Sequence, residues 1–333
     1  MKFPAIWPWK RPRLTICIPA YRPNGFLERV LASVQEQSFR DFRVVISNDG
    51  GFERETFEPF RRMANVRIYH QRGRLGWVEN ANWLIRRVRT PYFAILPQDD
   101  TIEPDYYAAL VDLLEKTPAA GSACTAIQTV GRPDEHIIRS KSVSGDLEAR
   151  VRQVFGMSYA GVSFRAVNRT PPNLGDLTVP GNRFDNMFAD STWIMRQAIQ
   201  GEMLYLDRPL YRKLYHGGNT HTSWLETPAK TLASAWMRYC QQMALYAARS
   251  VADEYQREAI FDLACERVFS RNSELRPLAV GTAFDAIWSQ SELDLRQEGM
   301  KKMLRRSLMQ RKGSCNAQEH LALNGDIRGE AGS

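Results

Sequence analysis

Short apolar runs alternate with amphipathic ones along the first third of the chain. Leu14–Pro19 (LTICIP) is β-branched and apolar, ends in proline, and reads as a buried strand. Gly25–Gln37 places Phe26, Leu27, Val30, Leu31 and Val34 on one helical face. Phe42–Ser47 (FRVVIS) predicts a second strand, stopped by Asn48-Asp49-Gly50-Gly51, a strong turn signal. Val66–His70 predicts a third strand and Gly76–Val88 a helix. Tyr92–Leu96 predicts a fourth strand and Pro104–Lys116 a helix ending near Pro118. Strands and helices alternating at this spacing imply βαβ units and a mostly parallel, Rossmann-like sheet, hence an α/β fold.

The middle is less regular. Residues 168–185 (NRTPPNLGDLTVPGNRFD) are rich in Pro, Gly and Asn and predict a long loop over a cleft. A helix of about three turns follows, then a strand-like LYLDRPLYRKLY. Beyond Pro228 the pattern turns helical over 229–249, 252–271 and 277–311 with a break, and from Gly313 it is polar and small-residued.

In parallel sheets ligands sit outside the carboxyl ends of the strands. Three polar signals fall there: Pro19-Ala20-Tyr21, Asn48-Asp49-Gly50 and Gln98-Asp99-Asp100. Adjacent carboxylates at a strand end repel unless a cation lies between them, and carboxylate oxygens suit Mg²⁺ or Mn²⁺. No GxGxxG follows the first strand and no GxxxxGK[ST] occurs anywhere, so the usual glycine cradles for nucleotides are missing. A nucleotide can still be held by a carboxylate at one strand end and a cation-bridged diphosphate at another.

The 333 residues carry a net charge of +8, with eight arginines between positions 61 and 89 against the single acid Glu79. Such a surface suits a phosphate-bearing ligand, an anionic membrane or nucleic acid. Of the Arg-rich face, Arg72 and Arg74 are the candidates for phosphate contact. The strongest basic runs are poor in aromatics, which argues against a nucleic-acid binder. PAYRPNG is a poor match to the Gly-rich basic loop of a nucleotidyltransferase, the other alternative. Five cysteines, none in a CxxC pair, read as buried reduced thiols, with no disulfide or zinc framework. No apolar stretch approaches the length of a membrane span, so a cytoplasmic protein is expected. The run MKKMLRRSLMQRK, with Met300, Met303, Leu304 and Leu308 near one face, fits either a helix packed on the domain or a peripheral contact with the anionic cytoplasmic membrane face.

The stretch TICIPAYRPNGFLERVLASVQEQSFRDFRVVISNDGG resembles the opening of the family 2 glycosyltransferases, inverting GT-A enzymes that use nucleotide-diphospho sugars. Leu27, Leu31, Ser33 and Gln37 match its first-helix pattern, Gly76 and Asn82 its Gly-x-x-x-x-x-Asn helix start, and Asp99 with Pro104 its D-x-D region. Asp190 and Trp193 match its later Glu-Asp-x-x-Trp segment. The resemblance covers roughly 13–221 and implies a GT-A domain over 13–225, with a nucleotide-sugar-binding half (13–117) and an acceptor half (118–225). A helical C-terminal region (226–312) and a disordered tail (313–333) follow.

The resemblance also implies roles. Asp49 binds the nucleobase in a pocket shaped by Pro19, Ala20 and Tyr21, with Gly76, Asn82 and Gln98 on the donor side. Asp99 is the main ligand of a Mg²⁺ or Mn²⁺ ion; apart from the resemblance, the adjacent Asp100 is the second candidate ligand and His216 a third ligand or phosphate contact, with His221 a weaker candidate. Asp190 is the general base acting on a hydroxyl of a glycan or lipid-linked acceptor, in polysaccharide or cell-surface glycan synthesis. Two departures stand out. Pro97-Gln98 replaces the first acid of D-x-D, and Ala189 replaces the Glu before Asp190.

Overall fold

The computed structural model describes residues 12–23, 25–51, 53–157, 162–219, 227–269 and 278–309. His221, Cys315, the tail 313–333 and the terminal cations Lys2, Lys10, Arg11, Arg311 and Lys312 lie outside them.

The first third folds as its pattern requires: β1 (Leu14–Ala20), α1 (Phe26–Gln35), β2 (Phe42–Asn48), β3 (Val66–His70), α2 (Trp77–Ile85), β4 (Tyr92–Ile95), β5 (Thr101–Ile102) and α3 (Tyr106–Lys116). The middle holds more regular structure than its sequence suggests: β6 (Ala120–Val130), β7 (Ile137–Ile138), α4 (Leu147–Gly156) and β8 (Val167–Arg169), ahead of α5 (Ala189–Gln200) and β9 (Glu202–Leu214). Four helices complete the described chain: α6 (Ala229–Arg249), α7 (Glu254–Phe269), α8 (Leu278–Ile287) and α9 (Gln290–Met309).

One sheet carries the strands in the order β3-β2-β1-β4-β8-β6-β9-β5, with β7 paired to β6. The pairs β3–β2, β2–β1 and β1–β4 are parallel, so the carboxyl ends of these four strands share an edge. Beyond β4 the sheet is mixed rather than mostly parallel: β8 runs antiparallel to both β4 and β6, β9 is parallel to β6, and β5 is antiparallel to β9.

Alternation along the strands separates two cores. Leu14, Ile16, Ile18, Val44 and Ile46 pack with α1 and α3. Cys17, Val45, Phe93 and Ile95 pack on the opposite face with α2 and with Trp193 of α5. A third apolar cluster joins α6–α9 to Val151, Val154 and Phe155 of α4 and to Ile194, Met195 and Ala198 of α5. The C-terminal helices therefore share their core with α4 and α5.

Met300 and Leu304 are buried in that core, while Lys301 pairs with Asp262 and Arg305 with Glu258. The apolar face of α9 is thus taken up by the protein, and the basic face is solvated. No helix among the described residues is long and apolar enough to cross a membrane. Cys17, Cys124, Cys240 and Cys265 are buried free thiols.

Because Trp236 of α6 is fully buried against Phe188, next to α5, Trp236→Ala is expected to destabilise the protein by about 3–5 kcal/mol. Hydrogen exchange should show α5 and α6 losing protection together. Loss confined to α6 and its C-terminal neighbours would mean that the helices form a separate unit.

Candidate functional site

The parallel register brings three strand ends to one edge: Ala20 lies opposite Asn48, and Cys17 opposite Ile95. Beyond β4 the chain reaches Gln98, Asp99 and Asp100, whose side chains take three different courses.

Gln98 turns back onto β1. Its Oε1 accepts from the Tyr21 backbone N–H at 2.8 Å, and its Nε2 donates to the Tyr21 carbonyl at 3.0 Å. A carboxylate could accept but not donate there, so the glutamine is suited to latch the two strand ends. Gln98 thus fixes the Tyr21 backbone, and no bond of its amide to a donor is needed to explain it.

Asp100 points inward. Its side chain is 3% exposed, accepts from Tyr211 Oη at 2.7 Å and Leu214 N–H at 3.0 Å, and pairs with Arg165 Nε at 3.3 Å. Burial pushes its carboxyl above the usual range, and the Arg165 guanidinium opposes that shift. Both oxygens are engaged by protein donors, so Asp100 stands apart from the metal-ligand position expected of it from the sequence.

Asp99 stays at the surface of the cleft, 18% exposed. Its Oδ2 meets His216 Nε2 at 2.9 Å and accepts from Asn219 Nδ2 at 3.0 Å. The Gly218 N–H donates to His216 Nδ1 at 3.1 Å, so the neutral ring carries its proton on Nε2 and donates it to Asp99. The His216 backbone N–H is held by Asn219 Oδ1 at 2.7 Å, and its ring stacks on Phe26 of α1 at 4.7 Å.

Asp49, 2% exposed, accepts from the backbone N–H groups of Leu75 and Gly76, at 2.5 and 2.9 Å. It closes the loop after β3 onto the end of β2 and sets the N-terminus of α2. Gly51 is required in this turn: φ is +65°, and a Cβ would lie 2.8 Å from the Gln71 carbonyl. Arg74, from the same loop, lies over the Tyr21 ring at 4.3 Å, and Arg22 at 5.5 Å. Asn82 is buried and serves the loop before α5, with Oδ1 accepting from Val179 N–H at 2.7 Å and Nδ2 donating to its carbonyl at 2.8 Å.

Asp190 sits in the first turn of α5, where its Oδ1 accepts from Ser191 N–H at 2.8 Å. The chain reaches it through a strained passage: Asp185, Asn186 and Phe188 all have positive φ, which costs of order 1–3 kcal/mol each and clusters at functional sites. Asn182 holds that passage, donating from Nδ2 to the Met187 carbonyl at 2.8 Å. Phe188 packs on Trp236 and Tyr239 of α6 at 5.2 and 5.8 Å. Arg165 links the two sides, because its guanidinium feels both Asp100 and Asp190.

Arg165, Tyr211 and Asn219 went unseen in the sequence. Asn219 had a signal, since an asparagine three residues after a histidine across two glycines suits a side-chain-closed turn.

Among the described residues no three His, Cys, Asp or Glu side chains converge as a metal cage. Asp99 and His216 fit a cation that is completed by phosphate oxygens and water, the usual arrangement for Mg²⁺ at nucleotides. For Nε2 of His216 to join, the ring must release the Gly218 N–H and move its proton to Nδ1.

Residues 15–171 match the family model described as glycosyl transferase family 2. Chondroitin synthase from Escherichia coli is 24% identical over 215 residues, 63% of this chain and 30% of that enzyme. The chain spans 23% to 43% of the first curated relatives it matches. Among solved structures, TarS from S. aureus in complex with UDP-GlcNAc aligns at a TM-score of 0.57 and 15% identity, over 90% of this chain and 92% of that one. The mannosyltransferase PcManGT from Pyrobaculum calidifontis, in complex with GDP-Man and Mn2+, aligns at 0.52 and 16%, over 89% and 81%. The fold is that of these GT-A glycosyltransferases.

The split between the two aspartates predicts opposite mutant behaviour. Asp100→Ala removes the buried carboxylate that faces Arg165 and is expected to cost about 3–5 kcal/mol in urea unfolding. Asp99→Ala, at the cleft surface, is expected to stay within about 1 kcal/mol of wild type.

Proposed function

We propose, from the premise that the chain belongs to glycosyl transferase family 2, that it transfers a sugar with inversion from a nucleotide-diphospho-sugar to an acceptor hydroxyl. The observation that carries the reading is the meeting of the Tyr21, Asp49 and Asp99 strand ends at one edge of the parallel strands. The relatives solved with UDP-GlcNAc and GDP-Man bind ligands of this class.

In this reading the nucleobase lies against Pro19, Ala20 and Tyr21, with Asp49 acting through the Leu75–Gly76 loop it ties down. The diphosphate lies at Asp99, beside the cations Arg74 and Arg22 on the Tyr21 ring. Asp99, joined by His216, would hold Mg²⁺ or Mn²⁺. Such an ion, when bound, offsets the negative charge that grows on the departing diphosphate. Asn219 keeps the Asp99 carboxylate aimed into the cleft. Asp190 removes the proton from the acceptor hydroxyl as its oxygen bonds to the anomeric carbon and the bond from that carbon to the diphosphate oxygen breaks. Attack on the face opposite the leaving group gives inversion. The strained turn at 185–188 and the Phe188–Trp236–Tyr239 packing fix where Asp190 stands. A glycan or lipid-linked acceptor reaches it from the α5 side. The nucleotidyltransferase alternative gains no support from the fold relatives.

Two measurements test this. A panel of sugar nucleotides with Mn²⁺ should contain one that raises the wild-type Tm, with the rise largely lost in Asp99→Ala; no rise with any donor would overturn the reading. With that donor, Asp190→Asn should keep the Tm rise and lower transfer by roughly 10²–10⁴-fold. Unchanged transfer would remove Asp190 from the role of base.

A further inference from the structure

On the α5–α6 side two cations stand without a counter-charge among the described residues. Arg238 of α6 is part-buried, and among the described residues it donates no hydrogen bond and pairs with no carboxylate. Burial holds its pKa below the usual arginine value; Tyr246 acts against that shift and the Arg183 guanidinium adds to it. Arg183, exposed in the loop before α5, packs over the Phe184 ring at 5.1 Å and likewise has no carboxylate partner among the described residues.

The placement is fixed by contacts on both sides. Arg238, Gln242 and Tyr246 recur every four residues and so share one face of α6. Gln242 Nε2 donates to the Gly181 carbonyl at 3.1 Å, which lays that face against the Arg183 loop. Farther along, Arg196 of α5 stacks on Tyr246 at 4.2 Å, with its own Nη1 spent on Gly175 O, Thr178 O and Thr178 Oγ1. Of three guanidinium groups in this strip, Arg196 has acceptors for Nη1 and the other two have none among the described residues. Asp185, two residues from Arg183, is exposed and pairs with neither.

A part-buried guanidinium that feels a second, exposed one costs stability unless an anion joins them. One guanidinium fork is enough for a carboxylate, whereas two forks match the several oxygens of a phosphate. The donor diphosphate has its own cations at Tyr21, on the β1 side of the cleft. We propose that Arg183 and Arg238 form a subsite for a phosphate group carried by the acceptor, on the side of the cleft where Asp190 stands. The assignment to the acceptor rests on the glycosyltransferase reading above; the binding of phosphate does not.

The site is tested first with inorganic phosphate, by calorimetric titration at constant ionic strength set with sodium chloride. Wild type should bind saturably, and Arg238→Gln and Arg183→Gln should each weaken binding about tenfold or more, as loss of a charged hydrogen-bond donor does. Arg152→Gln, exposed on α4 and outside both sites, should bind like wild type. Arg183 is exposed, so its variant decides the matter if Arg238→Gln folds poorly. Absence of saturable binding, or binding lost in Arg74→Gln and kept in Arg238→Gln and Arg183→Gln, overturns the site whatever the donor screen gives. The source is then tested with glycerol 3-phosphate against glycerol as acceptors. A KM about tenfold lower for the phosphate ester in wild type, equalised in Arg183→Gln, supports the acceptor assignment. Equal KM values in wild type, with inorganic phosphate still bound, overturn it in favour of free phosphate.

Discussion

The buried pair of Asp100 and Arg165 is the constraint on which the donor lip depends. Two neighbouring carboxylates at a strand end cannot both face one cleft without a cation, since unit charges about 4 Å apart repel by about 4 kcal/mol at an effective dielectric of 20. The fold separates them by direction. Asp100 goes inward to Arg165, Tyr211 and Leu214, tying the end of β4 to β9 and to the 163–165 turn. The chain then leaves Asp99 facing outward, where His216 and Asn219, just past β9, can reach it. The same ion pair therefore anchors the second half of the sheet and leaves Asp99 to face the cleft.

A second constraint works from the other side. Asp190 is placed by backbone strain, and strain persists where surroundings over-determine it. Those surroundings come from α6: Phe188 is caught between Trp236 and Tyr239, and Gln242 holds Gly181. The helical C-terminal region is thus part of what sets the geometry of the cleft. Its own anchor is Arg267, a buried cation whose Nη1 donates to the Phe155 and Met157 carbonyls at the end of α4.

How far the sequence revealed this depends on what each residue touches. The first third was legible because β1, β2 and β4 are continuous apolar runs with turn chemistry at their ends, and α1 has a clean apolar face. β6 escaped because AGSACTAIQTV mixes small and polar residues, and its burial comes from neighbouring strands on both sides. α4 was more accessible than it was judged: Asp146 caps it, accepting from Ala149 N–H, and Leu147, Val151, Val154 and Phe155 follow a helical spacing. At the site, the sequence ranked Asp99 above Asp100 but held no sign that Asp100 turns inward, because that course depends on partners such as Arg165 and Tyr211, distant in sequence. Gln98 and Asn82 show the same limit. Both sit at positions the resemblance assigns to the donor, and both side chains bond backbone groups from distant loops, Gln98 to Tyr21 and Asn82 to Val179.

These cases suggest how to weigh polar residues around such a cleft. A buried charge whose oxygens all find protein donors, as those of Asp100 do, is accounted for by the fold itself. A charge that costs stability and finds no partner points outward, to something the chain meets later. Asp99 has two donors and stays partly exposed, which in the proposed reading suits a cation that arrives with its substrate. Arg238 and Arg183 have no carboxylate partner among the described residues, and a glutamine could lie along the same face of α6 without their mutual repulsion. Residues that break a local rule without a compensating contact are expected at functional positions. On that ground the two sides of the cleft are complementary: a lone carboxylate where a cation is needed, and lone guanidinium groups where an anion is.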